Sequence, residues 1–166
     1  MPFSLQTSRM IVAFLTCAAI ASIAYGGISD KCLGCICRVE SGCRPVGCKW
    51  DVTSYSCGYF QIKYGYWQDC GRPGSGWKEC ANDYNCAAGC VRAYMNRYIG
   101  SSGCPANCES YARIHNGGPR GCRNPNTVSY WNRVQQQGCT PYSQSLDFVP
   151  RRLASYVSWK YLYTKK

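Results

Sequence analysis

Fifteen cysteines in a chain of 166 residues constrain the fold of this protein more strongly than any other feature of its sequence. One of them, Cys17, lies in an apolar N-terminal run, and the other 14 fall between Cys32 and Cys139. A dense, even-numbered set of this kind is typical of small domains that disulfide bonds hold together in an oxidising compartment. The sequence therefore predicts a framework of up to seven bridges, whose pairing the spacing leaves open, among the 14 residues Cys32, Cys35, Cys37, Cys43, Cys48, Cys57, Cys70, Cys80, Cys86, Cys90, Cys104, Cys108, Cys122 and Cys139.

A zinc site is the alternative use for some of these cysteines. Two pairs, Cys32 with Cys35 and Cys86 with Cys90, have a spacing that zinc ligands often show. An oxidising compartment consumes free thiols, however, and His115 is the only histidine that could complete such a site. We therefore expect disulfides at these positions, and neither a metal nor another cofactor.

The N-terminus indicates the compartment. Arg9 precedes an apolar run over residues 10–24, and the small residues Ser22 and Ala24 suit cleavage by a signal peptidase. The run is shorter than a typical membrane-spanning helix, although a retained anchor helix is the alternative. We predict a signal peptide over residues 1–24 and a secreted, extracellular mature protein.

The mature chain is expected to be strongly basic. The sequence holds 19 Lys and Arg residues against 8 Asp and Glu residues, and Arg9 is the one charged residue of the predicted signal peptide. The net charge after its removal is therefore about +10. Such a charge favours an anionic partner, such as a bacterial wall, an anionic lipid surface, nucleic acid or an acidic polysaccharide. The alternative is that the charge serves solubility alone.

The cysteine-bearing interval predicts one domain over residues 28–140. Its first helix is expected to begin at Lys31, capped by Ser29 or Asp30, because short polar side chains satisfy free amide groups at a helix start. Gly42 and Pro45 are expected to end this helix. Residues 141–166 follow as a tail without cysteine.

The rest of the domain predicts helices with a small antiparallel sheet. Residues 50–63 are rich in strand-forming side chains and contain one turn signal, at Cys57 and Gly58, which is typical of a β-hairpin. Residues 115–122 are predicted to be a turn-rich loop. Residues 86–99 are predicted to be a helix, since apolar side chains recur at helical spacing at Val91, Tyr94, Met95 and Tyr98. The expected class is α+β, mainly helical and disulfide-rich.

Two acidic residues stand out in so basic a chain. Glu40 falls at the end of the first helix, where the helix dipole disfavours negative charge, and Asp51 opens the predicted hairpin among Thr and Ser residues. Two carboxyl groups cleave a glycosidic bond when one donates a proton and the other stays ionised. Glu40 is therefore the candidate acid and Asp51 the candidate anion, although two such acids are more often solvated surface groups.

Five motifs in this interval resemble those of invertebrate-type lysozymes, the family that includes destabilase. The motifs are CLGCICRVESGC at residues 32–43, CGYFQIK at 57–63, YWQDCGRPG at 66–74, HNGGPRGC at 115–122 and YWNR at 130–133. The resemblance implies a lysozyme-like α+β fold and hydrolysis of the β-1,4 bond between N-acetylmuramic acid and N-acetylglucosamine in bacterial peptidoglycan. It also implies that Glu40 is the general acid and Asp51 the second carboxylate, and no nucleic-acid partner is expected.

A second activity, cleavage of the ε-(γ-Glu)-Lys isopeptide bond, is attributed to a Ser–Lys pair in some members of this family. The matching residues here are Ser54 and Lys63, and His115 is another candidate base. Each has a simpler interpretation: Ser54 as a turn residue, Lys63 as an exposed strand residue and His115 as a structural residue beside a turn.

Two further alternatives concern binding rather than catalysis. A non-enzymatic cationic antimicrobial or wall-binding protein would show the same charge. The tail over residues 141–166 holds five basic residues and one acid, Asp147, and we predict that it binds anionic bacterial surfaces. The alternative is a disordered or core-docked extension.

Overall fold

A computed structural model of the protein describes residues 27–144. The predicted signal peptide and the tail beyond Gln144 lie outside the described residues. Between residues 27 and 144 no helix is both long enough and apolar enough to cross a membrane. The helices in this part of the chain are α1 (Asp30–Ser41), α2 (Tyr64–Asp69), α3 (Trp77–Asn82), α4 (Tyr84–Ser102), α5 (Cys108–Gly117) and α6 (Val128–Gln135). The strands are β1 (Cys48–Asp51), β2 (Ser54–Cys57) and β3 (Ile62–Lys63), and short 3₁₀ segments occupy Gly121–Arg123, Pro125–Thr127 and Pro141–Gln144.

The first helix begins and ends close to where its sequence predicts. The Ser29 hydroxyl accepts a hydrogen bond from the Cys32 amide at 3.2 Å, which satisfies one free donor of the first turn. Gly42 ends the helix in the left-handed conformation with φ of 66°, and its amide donates to the Arg38 carbonyl at 3.0 Å. These caps fix the end of α1 and therefore the position of Glu40, its penultimate residue.

The sheet differs in detail from the predicted hairpin. It has three antiparallel strands in the order β1-β2-β3. The first turn lies at Val52 and Thr53, so Asp51 ends β1 instead of opening the hairpin. Val52 adopts φ of 56°, a conformation that a β-branched residue rarely takes. A valine therefore does not indicate a turn at this position, and the sequence did not predict one.

The turn predicted at Gly58 is the second one, between β2 and β3. Gly58 has φ of 70°, and a Cβ atom there would lie 1.7 Å from the Ala81 carbonyl oxygen. No other residue fits so close an approach at positive φ. The neighbouring Tyr59 amide donates to the same Ala81 carbonyl at 3.0 Å, so this turn docks the sheet on α3.

Two helices extend further than their sequence signals suggest. The helix predicted over residues 86–99 is α4, with Val91, Tyr94 and Met95 buried as expected. The prediction of a loop over residues 115–122 is wrong for residues 115–117, because α5 continues through His115 to Gly117. The buried side chains of α5 recur at helical spacing and override the turn signal of its last residues.

The cysteine framework predicted from the sequence is confirmed. All 14 cysteines between Cys32 and Cys139 form seven disulfides. The thiols that a zinc site would need are therefore consumed. The pairs are Cys32–Cys108, Cys35–Cys139, Cys37–Cys43, Cys48–Cys57, Cys70–Cys90, Cys80–Cys86 and Cys104–Cys122.

The buried core lies between the helices, and the sheet flanks it. Helix α1 packs against α5 and α6, and α4 packs against α3 and α5. The packed unit continues past Thr140: Ser143 is buried, and its carbonyl accepts a hydrogen bond from the Ser29 hydroxyl at 2.7 Å. The segment Pro141–Gln144 therefore belongs with the start of α1.

Candidate active site

A cavity of about 420 Å³ lies between the end of α1, the sheet, α2 and α5. It brings together the five non-cysteine residues that the sequence singles out: Glu40, Asp51, Ser54, Lys63 and His115. The remaining lining residues are Ser56, Gln61, Tyr64, Gly65, Tyr66, Tyr94, Asn116 and Gly118.

Glu40 reaches this cavity from the last turn of α1 and is largely enclosed. Its side chain is 17% exposed. Its Oε1 accepts a hydrogen bond of 2.6 Å from the Tyr130 hydroxyl of α6, and His115 Nε2 lies 3.5 Å from the same oxygen. Burial, followed by the nearby Glu40 charge, raises the pKa of Tyr130 well above its ordinary value, so this phenol keeps its proton and donates it.

His115 is buried and both ring nitrogens have partners. Nε2 lies 3.0 Å from the Phe60 carbonyl oxygen, which only accepts hydrogen bonds, so Nε2 carries a proton. Nδ1 lies 3.2 Å from the Tyr66 hydroxyl. Burial raises the pKa of Tyr66 well above its ordinary value, and the phenol therefore stays protonated. Both ring nitrogens are therefore engaged, Nε2 with the Phe60 carbonyl and Nδ1 with the Tyr66 hydroxyl, and these contacts suit a structural role better than the role of a base with a free nitrogen.

Asp51 lies in a polar and open setting. Its side chain is 52% exposed, and its Oδ2 lies 3.0 Å from Lys63 Nζ and 3.3 Å from the Ser56 hydroxyl. The hydrogen bond from Lys63 lowers the pKa of Asp51 below its ordinary value of 3.8, and this effect outweighs the opposing effect of burial. Asp51 is therefore ionised near neutral pH, as the sequence predicts for the second carboxylate.

Lys63 forms an ion pair with Asp51. Besides the carboxylate, its Nζ donates to the Asp51 carbonyl at 3.2 Å. A lysine that activates a serine must give up its proton, whereas the Asp51 carboxylate stabilises the charged ammonium. Ser54 pairs with Asp51 across the first turn and shares the cavity with Lys63. The predicted Ser–Lys pair thus lines one cavity, and its lysine is bonded to Asp51.

Covalent and backbone ties hold the two carboxyl groups in place. The Cys37–Cys43 disulfide, with a sequence separation of 6, closes a loop around Glu40, and Cys48–Cys57 joins β1 to β2 at a paired position. The Ser41 hydroxyl donates to the Tyr59 carbonyl at 2.7 Å and so links the end of α1 to the turn after β2. Each of these disulfides lies within one segment, whereas the Ser41 hydrogen bond joins the end of α1 to the sheet side of the cavity.

Aromatic side chains form much of the surrounding wall. Tyr66 stacks on Tyr94 with ring centroids 3.6 Å apart and an angle of 11° between the planes. Phe60 is fully buried, whereas Tyr64 lines the cavity with half of its surface exposed. Tyr64 is therefore better placed than Phe60 to contact a ligand.

Sequence reasoning missed Tyr130 and Tyr66 as polar partners of the site. Tyr130 lies 90 residues from Glu40 along the chain, so no local spacing connects them. The one available signal is that Tyr130 falls in a buried apolar stripe of α6 with Trp131 and Val134. A tyrosine at such a position needs a partner for its hydroxyl, but the sequence does not say which.

Comparisons with known proteins find close similarity over most of the described residues. A family model described as Destabilase matches residues 29–137. The chain is 66% identical over 131 residues to a lysozyme of Magallana gigas, covering 79% of this chain and 96% of that protein. It is 56% identical over 118 residues to an invertebrate-type lysozyme of Ruditapes philippinarum, covering 70% and 87% of the two chains.

A solved lysozyme structure is similar over most of its length. The Meretrix lusoria lysozyme, crystallised in complex with Aeromonas hydrophila PliI, superposes with a TM-score of 0.65 at 61% identity. The match covers 66% of this chain and 89% of that one. With a family model matched over most of the described residues and relatives well above half identity, the chain belongs to the destabilase family of invertebrate-type lysozymes.

Proposed function

We propose that this protein is a secreted lysozyme that hydrolyses the β-1,4 bond between N-acetylmuramic acid and N-acetylglucosamine in bacterial peptidoglycan. Membership of the invertebrate-type lysozyme family makes the chain a glycoside hydrolase. The residue roles rest on one observation, which is that Glu40 and Asp51 line one cavity in contrasting settings. Glu40 is enclosed, whereas Asp51 lies in a polar setting and is paired with Lys63. Seven disulfides support an oxidising, extracellular location.

In this mechanism Glu40 enters the reaction as a carboxylic acid and donates its proton to the glycosidic oxygen. The bond between that oxygen and the anomeric carbon breaks, and the sugar ring gains positive charge. The ionised carboxylate of Asp51 stabilises this charge from the sheet side of the cavity. Water then adds to the anomeric carbon, and the proton that the water loses makes good, in net terms, the one that Glu40 donated. Lys63 and Ser56 keep Asp51 ionised and oriented, since both donate hydrogen bonds to Oδ2.

Product analysis tests this function. Purified peptidoglycan is digested, and the released fragments are analysed by mass spectrometry after reduction of their ends. The proposal expects fragments that end in reduced N-acetylmuramic acid. Fragments that end in reduced N-acetylglucosamine, or free ε-amino groups without new reducing ends, would contradict it.

Isopeptidase activity stays a prediction, and the same digest tests it. Ser54 and Lys63 line the cavity together, which is the feature in its favour, while the ion pair of Lys63 with Asp51 disfavours it. A γ-glutamyl-ε-lysine dipeptide should release lysine with the wild-type protein and not with Ser54→Ala if the pair is active. Lysine release that is unchanged in Ser54→Ala would show that Ser54 is not the nucleophile of this activity.

Replacing Lys63 with methionine should move the acidic limb of the pH–activity profile to higher pH. Activity needs ionised Asp51, and Lys63 lowers the pKa of Asp51. Removing the ammonium raises that pKa, so activity is lost at a higher pH as the solution is acidified, while activity near neutral pH suffers less. The profile is measured on peptidoglycan between pH 2 and pH 8, values that bracket an ordinary aspartate by roughly two to four units.

Lys78→Met is the matched control for this change, because Lys78 is an exposed lysine of α3 outside the cavity. The unfolding midpoint of both variants is measured as well. Exposed ion pairs contribute about 0–1 kcal/mol, so neither variant should lose the fold. An acidic limb that stays at its wild-type pH in Lys63→Met would remove Asp51 as its source.

We also propose that the basic tail strengthens binding to anionic bacterial surfaces. Residues 145–166 hold five basic residues against one acid. Truncation after Gln144 keeps the buried Ser143 and should weaken binding to vesicles that contain phosphatidylglycerol, most strongly at low salt. Hydrolysis of a short soluble chitin oligomer should be unchanged. Equal vesicle binding by the full and truncated chains at low salt would contradict a surface-binding role.

A further inference from the structure

Both groups that face one oxygen of Glu40 are hydrogen-bond donors. The Tyr130 hydroxyl lies 2.6 Å from Oε1 and donates to it. Nε2 of His115 lies 3.5 Å from Oε1, which is too far for a good hydrogen bond. Its proton is donated to the Phe60 carbonyl at 3.0 Å. These donors come from two different helices, α6 and α5, that pack against each other.

The Tyr130 hydroxyl is held rigidly. Tyr130 is 2% exposed, and the guanidinium carbon of Arg133, on the same helix, lies 5.3 Å from its ring centroid. Its pKa is raised by burial and by the Glu40 charge, so the phenol stays neutral and keeps its proton available to Oε1.

An oxygen that accepts a hydrogen bond of this length is unsuited to carry the carboxyl proton. A carboxylic acid has one carbonyl oxygen and one hydroxyl oxygen, and the carbonyl oxygen is the better acceptor. With Oε1 occupied by the Tyr130 donor, the protonated form of Glu40 carries its hydrogen on Oε2.

We propose that Tyr130 is a positioning residue for the general acid: it assigns the transferable proton of Glu40 to Oε2 and stabilises the carboxylate that remains after proton transfer. This inference rests on the proposed function. The hydrogen bond strengthens as negative charge develops on Glu40, because a charged acceptor binds a donor more tightly than a neutral one. The contact therefore stabilises the transition state more than the ground state.

Tyr130→Phe tests the proposal by removing only the hydroxyl. On a chitin oligomer whose leaving group is a sugar, kcat should fall by about 10- to 100-fold with little change in KM, the effect of one hydrogen bond to a charged group. On the matching 4-nitrophenyl glycoside, kcat should fall by less than about threefold, because a nitrophenolate leaves without a proton from a general acid. A merely structural role would lower both activities alike.

The pH profile supplies a second readout. Glu40 is faced by His115 from α5, Tyr130 from α6 and Tyr66 from α2, with Asp51 and Lys63 on the far side of the cavity. Of these, Tyr130→Phe removes the one donor in hydrogen-bond contact with Glu40, so the basic limb should move to higher pH. Site-specific 3-fluorotyrosine at position 130 keeps the ring and strengthens the donor, so it should move that limb to lower pH.

One matched control and two diagnostic results separate the outcomes. Tyr84→Phe makes the same chemical change on α4 outside the cavity and should match the wild type on both substrates. Equal losses on both substrates in Tyr130→Phe, or a basic limb that neither change at position 130 moves, would overturn the positioning role. Glu40→Gln that retains hydrolysis of the sugar-leaving substrate would instead overturn the role of Glu40 as general acid, on which this inference rests.

Discussion

Glu40→Gln should lower kcat for peptidoglycan hydrolysis by about a thousandfold, with KM changed only a few-fold. General acid catalysis contributes roughly 10²- to 10⁴-fold, and glutamine has no proton to donate to a glycosidic oxygen. Glutamine has the same shape as glutamate, and its amide oxygen still accepts the hydrogen bond from Tyr130 that Glu40 Oε1 receives. The loss should therefore come from chemistry and not from a misfolded site.

The rate is measured as loss of turbidity of a Gram-positive wall suspension and as release of reducing ends. Glu79→Gln is the matched control, since Glu79 is an exposed glutamate of α3 outside the cavity, and it should keep full activity. Unfolding midpoints confirm that both variants fold. If Glu40→Gln keeps more than about a tenth of the wild-type rate, Glu40 is not the general acid. Bacterial killing that persists in Glu40→Gln would favour the non-enzymatic antimicrobial alternative for that activity.

The second large effect concerns two disulfides, one of which should matter more for stability and the other more for activity. Replacing Cys35 and Cys139 by alanine opens a bridge with a sequence separation of 104, and this should lower the free energy of unfolding by about 4–5 kcal/mol. Replacing Cys37 and Cys43 opens a separation of only 6, for which the same chain-entropy argument gives about 2–3 kcal/mol. The long bridge should therefore matter more for stability.

The short bridge should matter more for activity, because it encloses Glu40 and ties the last turn of α1 to the loop that follows. Guanidinium unfolding gives the stability of each double variant, and turbidity assays under conditions in which both are folded give their activity. A short-bridge variant that is the less stable but the more active of the two would reverse both expectations.

The sequence predicts the disulfide framework and the ends of α1 better than it predicts the side-chain contacts at the site. The cysteine count, the cap at Ser29 and the end of α1 at Gly42 are local or compositional signals, and the structure follows them. Glu40 and Asp51 were identified because a basic chain holds few acids and because their surroundings match those of a known family.

Signals that depend on tertiary packing were not readable in the same way. The turn at Val52 and Thr53 uses two β-branched residues, which local preference places in a strand, and strand pairing on both sides imposes the turn. His115 follows the packing of α5 and not the glycines after it. Tyr130 meets Glu40 only because α1 and α6 pack together.

A crystal structure of Glu40→Gln with a bound peptidoglycan tetrasaccharide tests the central claim most directly. We expect the sugar to occupy the cavity of about 420 Å³, with the scissile glycosidic oxygen within hydrogen-bond reach of residue 40, about 2.6–3.2 Å, and the anomeric carbon facing Asp51. A tetrasaccharide bound elsewhere, for instance across the exposed rings of Trp50 and Tyr55, with this cavity empty, would contradict it.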